Sequence, residues 1–185
     1  MRNLLCTNGS AIAAEERYAT RDDFCHLFNE EMSHLYRLCL LLTGDDVQAQ
    51  RCFVAGLELS VNGNPVFKQW ARSWARRMIV ENAIRMIAPR PNRAGGAALA
   101  VPLELTREGE TGPDKGETLG YLFELGDFER FVFVMSVLER YSDQDCSVLL
   151  GYPLSEIRGA RTRALERIGQ SCALNAAADA TLVAG

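Results

Sequence analysis

The chain has 185 residues, of which 48% are hydrophobic and 24% are charged, and its formal net charge is -4. This length accommodates one large domain or two small ones, and the hydrophobic content is high enough for packed cores, which excludes a disordered chain. Dedicated nucleic-acid-binding proteins are more often basic overall, so a nucleic-acid-binding surface on this chain is expected to be local.

Cysteine and histidine positions argue against a metal site, and the absence of catalytic motifs argues against an enzyme. No two of the six cysteines form a Cys-x-x-Cys pair, and neither histidine completes a set of zinc ligands, so no cofactor is expected. Cysteines on apolar helix faces are interpreted as small hydrophobic residues. No nucleophile elbow, P-loop, glycine-rich dinucleotide turn or HExxH motif is present. Neither a signal peptide nor a membrane span is predicted, which makes the cytoplasm the expected location.

Three helices are predicted in the N-terminal half of the chain, over residues 24–42, 46–61 and 66–87. Apolar residues recur at three- and four-residue steps in the first, which indicates one buried helix face about five turns long. Gly44 is predicted to end this helix, because glycine readily adopts the left-handed conformation of a C-terminal cap. Asp45 or Asp46 is predicted to cap the second helix. Asn64-Pro65 is predicted to begin the third, with the asparagine as cap and the proline in the first turn.

Composition changes after residue 88. Prolines and glycines are frequent from 88 to 118 and no helical period is present, as is typical of a linker. Beyond it, helices are predicted over 120–139, 143–150 and 154–168. The predicted architecture is all-α: a tail over 1–20, a helical domain over 21–88, a linker over 89–118, a second helical domain over 119–170 and a tail over 171–185.

The second domain contains the pattern of a helix-turn-helix. Ser142 and Asp145 have the spacing of a capping box at the start of the shorter helix. Gly151 lies where a tight turn needs a positive φ, and Pro153 opens the longer helix. A short helix, a glycine-containing turn and a longer helix are typical of DNA-binding modules, although two packed helices without a DNA role have the same pattern.

This second domain resembles region four of extracytoplasmic-function (group IV, sigma-70 family) RNA polymerase sigma factors. The matching segments are 125–130 in the lead-in, Leu138-Glu139 and Tyr141-Ser142 in the Leu-Glu-Gly-Leu-Ser motif, Asp145-Cys146-Ser147 at Glu-Ile-Ala, Leu150-Gly151 at Leu-Gly, Ile157-Arg158 at Val-Lys and Arg163-Ala164 at Arg-Ala. The resemblance implies a recognition helix over 154–168 that reads the minus-thirty-five element in the major groove. Its implied DNA-binding residues are Ser155, Glu156, Arg158, Gly159, Thr162 and Arg163.

The first domain resembles region two of the same family. The matches are the segment 24–44 with its Leu-Thr-Gly-Asp turn, Ala49, and in the third helix Phe67, Trp70, Ala75, Arg76 and Glu81. The resemblance implies docking on the clamp of core RNA polymerase and recognition of the minus-ten element, and it makes an anti-sigma protein a further expected partner. The implied polymerase-binding residues are Asp46, Ala49, Gln50, Arg51 and Phe53, and the implied DNA-binding residues are Arg72, Arg76, Arg77 and Arg85.

Basic and aromatic residues share the stretch from Lys68 to Arg93, in which Glu81 is the sole acid. A helix face with this excess can bind a phosphate backbone or form an ordinary solvated surface, and both interpretations stay open. Trp70 and Trp74 can stack on unpaired bases. Because large aromatic residues dominate protein cores, we interpret both tryptophans as core residues.

Several family positions are altered in ways that favour a second interpretation. Acidic residues usually follow Ala49 in the clamp-binding helix, whereas this chain has Gln50-Arg51. In the recognition helix, Ala160 takes an exposed arginine position and Arg161 takes a core leucine position. The alternative to an initiation factor is therefore a degenerate sigma-like interaction module, which binds an anti-sigma protein or another regulator and has no promoter activity.

Overall fold

The computed structural model describes residues 17–91 and 120–183. Regular structure in these ranges is helical and includes no strand, which confirms the predicted all-α class. An isolated bridge joins Tyr18 to Phe67. The chain divides into two compact units, Met1–Met86 and Ile87–Gly185. The predicted N-terminal tail and linker lie almost wholly outside the described residues.

The first unit is built around a buried apolar core between helices. Its helices are α1 (Arg21–Glu30), α2 (Met32–Thr43), α3 (Asp46–Asn62) and α4 (Ala71–Ile87), with a 3-10 turn at Lys68–Trp70 before α4. The fully buried side chains include Leu35, Cys39, Leu42, Ala49, Cys52, Ala75, Ile79 and Val80. Removal of these side chains from water is the main force that holds the helices together.

The prediction of one continuous helix over 24–42 is wrong. The backbone leaves the helical conformation at Glu31, with φ -99° and ψ 18°, so that α1 and α2 are separate helices. The apolar period continues across this break, with Phe28 buried before it and Leu35 after it, and a period alone does not detect the interruption. The first helix also begins earlier than predicted, because Thr20 and Asp23 form a capping box.

The chain turns between α2 and α3 as the sequence predicts. Gly44 has φ 73° and closes α2 with a bond from its N–H to the carbonyl of Leu40, which confirms the predicted left-handed cap. Asp45 is the cap of α3, and its Oδ1 accepts the N–H of Gln48 at 2.8 Å.

The start predicted for the third helix at Asn64-Pro65 is wrong. Val66 accepts the N–H of Ala19 at 2.7 Å, and Lys68 donates its N–H to Arg17 at 2.9 Å. The backbone after Pro65 is thus held by the segment that precedes α1. The backbone that follows Pro65 is extended at Phe67 and becomes helical only with the 3-10 turn at Lys68–Trp70, which leads into α4.

The second unit also differs from its predicted helix boundaries. After a helical turn at 120–123, its elements are α5 (Asp127–Phe133), a π-helical turn (Val134–Leu138), α6 (Asp143–Leu150) and α7 (Leu154–Val183). The helix predicted over 120–139 is therefore interrupted at 124–126. Its last turn is π-helical, with the N–H of Glu139 bonded to the carbonyl of Val134 at 2.9 Å.

Helix α7 is longer than its prediction, which placed its end near residue 168 and a tail over 171–185. The helix instead continues to Val183. The residues after Gly169 contain no proline and are rich in alanine, which has the highest intrinsic helix propensity. Gly169 lowers the helix propensity at its position but does not end the helix, because no second stop signal follows it.

Helices α6 and α7 are joined as the sequence predicts for a helix-turn-helix. Ser142 and Asp145 form the predicted capping box at the start of α6, with both the side-chain and the backbone bonds present. Gly151 ends α6 with φ 74°, in the left-handed region. The hydroxyl of Ser147 donates to the carbonyl of Tyr152 at 2.6 Å and ties the turn to α6.

We expect Gly151→Val to lower the free energy of unfolding of the second unit by about 1–3 kcal/mol, the cost of a strained backbone position. A Cβ at Gly151 meets no atom within 4 Å, so backbone strain is the sole source of this cost. Gly151→Asn is the matched control, since asparagine tolerates the left-handed region better. Thermal unfolding of both variants measures the difference, and equal melting of the valine variant and the wild type would contradict the turn geometry.

Three cysteines are buried thiols that act as small hydrophobic residues. Cys39, Cys52 and Cys146 are fully buried, whereas Cys25 is exposed. A hydrogen bond with Cys52 and burial raise the pKa of the Cys39 thiol, and the same bond lowers the pKa of Cys52. Burial raises the pKa of Cys146 to about 11. The predicted interpretation of apolar-face cysteines holds for these three residues.

Candidate nucleic-acid interface

The basic stretch before and along α4 is largely paired with acids from the same unit. Lys68 Nζ lies 3.2 Å from Asp23 Oδ2, and Arg77 Nε lies 2.8 Å from Glu81 Oε1. In the sequence, Glu81 is the only acidic residue between Lys68 and Arg93. Asp23 was missed because it is distant in sequence and reaches this surface only through the fold.

Glu31 holds two further arginines of α4. It lies at the break between α1 and α2, and its side chain is only 14% exposed. Arg72 Nε contacts one of its carboxylate oxygens, and Arg76 Nη2 lies 3.7 Å from the other. Four arginines of this helix are predicted to bind DNA. The fourth, Arg85, is exposed, and it forms no ion pair with any residue in the described part of the chain.

An aromatic groove lies beside the start of α4. Its volume is about 300 Å³, and its lining residues are Pro65, Val66, Phe67, Trp70, Ser73, Trp74 and Arg77. Phe67 stacks on Tyr18 with ring centroids 4.7 Å apart, and Trp70 meets Phe67 edge-on at 5.3 Å. Trp70 is 56% exposed, so its interpretation as a core residue is wrong. Trp70 and Trp74 are spaced as neighbours on one apolar helix face in the sequence. The 3-10 turn at Lys68–Trp70 changes this spacing and directs Trp70 away from the core.

Trp74 lies deeper in the same groove. Its side chain is half-buried, and its Nε1 has no hydrogen-bond acceptor among residues 17–91 and 120–183. The groove thus combines the exposed indole of Trp70, the half-buried indole of Trp74 and the side chain of Arg77. An exposed aromatic face beside a guanidinium suits a planar ring with an adjacent negative charge.

The predicted polymerase-binding residues of α3 divide into surface and packing residues. Gln50 and Arg51 are exposed. Asp46 is exposed and accepts the hydroxyl of Tyr36 at 2.6 Å. Phe53 is half-buried and packs edge-on against the rings of Phe28 and Tyr36.

Ala49 is fully buried, so it cannot contact a partner directly, and its placement on a docking surface is wrong. A small residue is required there by the packing of α3 on the core. Two exposed valines, Val47 and Val54, occupy the outer face of α3 instead. Sequence reasoning missed them because a family comparison tracks matched positions and not solvent exposure.

The outer face of α7 carries most of the predicted recognition residues. Ser155, Glu156, Arg158, Thr162 and Arg163 are exposed, and Gly159 is half-buried. The inner face buries Ile157, Ala160 and Ala164 against the unit. The placement of Ala160 at an exposed position is wrong. Arg161 does not lie in a core position either, because its guanidinium reaches the surface and pairs with Asp143. The predicted match of Ala160 and Arg161 to positions of the family's recognition helix is therefore wrong.

Two carboxylates hold four arginines of α7. Asp143, the first residue of α6, accepts from Arg158 Nε at 3.1 Å and from Arg161 Nη1 at 2.5 Å. Glu129 of α5 accepts from Arg163 Nε at 2.8 Å and from Arg167 Nη1 at 3.0 Å. These carboxylates were not predicted, because they precede the arginines by 15 to 38 residues.

The described ranges contain neither a cluster of metal ligands nor a helix that could span a membrane. Across residues 17–91 and 120–183, no group of three or more His, Cys, Asp or Glu side chains is arranged to hold a metal ion. In the same ranges, every helix is too short or too polar to cross a membrane.

Comparison with known proteins identifies similarity to solved structures at low sequence identity. No protein-family profile matches the chain, and no curated protein sequence matches it. The chain is similar to the sigma factor RpoE in its co-crystal structure with the anti-sigma factor NepR from Bartonella quintana, with 16% identity and a TM-score of 0.48. The match covers 81% of this chain and 96% of that one. At this level the likeness concerns the helical fold and carries no conclusion about function.

Proposed function

We propose that the chain is a sigma-like transcription initiation factor, which binds promoter DNA and core RNA polymerase in the cytoplasm. The observation that carries the proposal is the α6–turn–α7 unit. Its turn has the left-handed glycine that a helix-turn-helix needs, and α7 buries one face while it exposes a polar one. The family resemblance of both halves, in the correct order, supports the same assignment.

The exposed face of α7 has residue types that suit contact with duplex DNA. Arg158 and Arg163 can reach phosphates or guanine edges, and Ser155 and Thr162 can bond either kind of base. Gly159 lies between them and leaves room for the guanidinium of Arg163, whose Nη1 would lie 3.2 Å from a Cβ at this position. These residues are the proposed contacts of the second unit.

The aromatic groove of the first unit supports binding to a melted strand. An initiation factor must hold unpaired bases after the duplex opens, and exposed aromatic rings bind such bases by stacking. Trp70 offers an exposed indole, and Arg77 lies on the same groove. A single unpaired base is the proposed occupant.

Reconstitution with a bacterial core RNA polymerase tests the proposal. The purified chain is mixed with core enzyme and a randomised promoter library, and DNA retained in heparin-resistant complexes is sequenced. We expect enrichment of two short motifs at a fixed spacing, and loss of the upstream motif with Arg158→Ala. Failure of the chain to co-elute with core enzyme, together with no enrichment over core alone, would overturn the proposal.

Salt dependence tests the basic surface of α4. We expect Arg85→Ala to reduce the salt slope of single-stranded DNA binding by about 0.7, the value of one lost phosphate contact. Arg77→Ala is the comparator, and its effect is expected to be smaller because Glu81 already offsets its charge. Fluorescence anisotropy between about 50 and 200 mM salt measures both slopes. An unchanged slope for both variants would show that α4 does not contact DNA.

A second candidate function is a protein-interaction module that binds an anti-sigma protein or another regulator. The exposed Val47 and Val54 on α3 favour it, since exposed apolar side chains beside Gln50 and Arg51 suit a protein partner. Core enzyme binding separates the two candidates. The replacement of both valines by serine should abolish partner binding in either case, whereas DNA enrichment is expected only for an initiation factor.

A further inference from the structure

We propose that Glu129 and Asp143 are specificity-determining residues, which limit non-specific DNA affinity by holding the arginines of α7. The inference rests on the proposed function, because it assigns a role to two acids beside the proposed recognition helix. Neither acid lies on α7, and neither belongs to the predicted site.

The arginines form two rows along α7. At 100° per residue, the face opposite the buried Ile157, Ala160 and Ala164 carries small or polar residues. These residues are Ser155, Gly159, Thr162 and Glu166. Arg158 and Arg161 lie on one side of this strip, and Arg163 and Arg167 lie on the other. A helix in the major groove has a sugar-phosphate backbone on each side, so the two rows face the two strands.

Each row is held by one carboxylate. Asp143 is 19% exposed and uses both of its oxygens for Arg158 and Arg161. Glu129 is 10% exposed and gives one oxygen to Arg163 and the other to Arg167. The carboxylates are largely shielded from water, whereas the guanidinium groups are 36–65% exposed, so these pairs are intermediate between surface and buried ion pairs.

Gly159 leaves room for the guanidinium of Arg163. A Cβ at residue 159 would lie 3.2 Å from Arg163 Nη1, so the arginine head passes close to the glycine on the polar strip. Arg163 thus bonds Glu129 through Nε while its Nη1 lies beside Gly159. A guanidinium has five N–H donors, so an arginine bound to a carboxylate keeps donors for a phosphate.

The four guanidinium groups and the two carboxylates that hold them carry a net charge of +2, and the exposed Glu156 and Glu166 bring the charge of this face of α7 to zero. Each phosphate that approaches an arginine row is attracted by the guanidinium groups and repelled by the carboxylate behind them. Non-specific affinity comes almost entirely from such phosphate contacts, whereas specific affinity also includes contacts to bases. The two acids therefore lower non-specific DNA affinity more than specific DNA affinity. They thereby increase the ratio of specific to non-specific affinity.

The test uses the full-length chain with Glu129→Gln and Asp143→Asn, which keep side-chain shape and remove one negative charge each. Affinity for a random duplex is measured by anisotropy from 50 to 200 mM salt, and retention on heparin is measured in parallel. We expect each variant to bind the random duplex about three- to tenfold more tightly and to increase the salt slope by about one. Glu124→Gln, an exposed glutamate outside α7, is the control for net charge.

A double-mutant cycle separates an effect through the arginines from a general change of charge. In the Arg163→Ala/Arg167→Ala background, Glu129→Gln should no longer alter affinity or slope, because the groups it restrains are absent. An unchanged or weaker affinity of both carboxylate variants would overturn the inference, and so would an equal gain with Glu124→Gln. Asp143→Asn decides the outcome if Glu129→Gln fails to fold. If the wild type binds no DNA while the variants gain heparin retention through the arginines, the proposed function falls and the restraint by the two acids stands.

Discussion

Valine in place of Gly56 is expected to lower the free energy of unfolding of the first unit by about 2–3 kcal/mol, the cost of overpacking a closed core. Gly56 lies on α3, where the helix passes closest to α4. A Cβ at this position would lie 2.7 Å from Ile79 Cγ1 and 3.6 Å from its Cα. Because Ile79 is fully buried, its side chain has no open space into which it can move.

Chemical denaturation of the full-length chain measures this effect. Gln50→Val, at an exposed position of the same helix, is the matched control and should cost only a few tenths of a kcal/mol, as a surface substitution does. The double variant Gly56→Ala/Ile79→Ala should show a favourable coupling energy, because truncation of the isoleucine makes room for the new methyl group. A valine variant as stable as the wild type would mean that α3 and α4 do not cross at Gly56.

This crossing also bears on function. The outer face of α3 carries the proposed protein-binding surface, and α4 carries the basic and aromatic residues. Gly56 lets both helices pack on one core, so a single glycine supports the two candidate surfaces of the first unit. A packing variant should therefore weaken polymerase binding and DNA binding together, whereas a surface variant should affect one of them.

The parts of the fold that could be predicted are those encoded in neighbouring residues. Gly44, Asp45 and Gly151 each act through a backbone conformation or a cap that involves residues within one turn. The capping box of Ser142 is likewise local. Because such signals need no knowledge of the tertiary structure, these caps and the turn between α6 and α7 were predicted correctly.

The parts that failed depend on contacts between distant residues. The start of α4 is delayed because residues 66–68 bond to residues 17–19, about fifty positions earlier in the chain. Glu31 and Glu129 reach their arginines only in the folded unit, so the basic surfaces looked unopposed in the sequence. The exposure of Trp70 depends on a 3-10 turn, which has no distinct sequence period.

Trp70→Ala is expected to weaken binding to DNA that contains an unpaired strand by about ten- to a hundredfold, consistent with the loss of one base–aromatic stack. The indole is more than half exposed and its main aromatic contact is edge-on with Phe67, so stability should change little. The proposed base would lie against Trp70 and place its phosphate near Arg77 at the edge of the groove. Affinity for a fork-junction DNA and for the matching full duplex separates this effect from general electrostatic binding.

Trp70→Phe is the conservative control for the same position. Phenylalanine keeps a stacking face, so it should restore most of the affinity for the fork while duplex binding stays at the wild-type level in all three proteins. Equal losses on fork and duplex with Trp70→Ala would show that the indole supports the fold of α4. No loss on either DNA would assign the groove to a protein partner, as the interaction-module candidate requires.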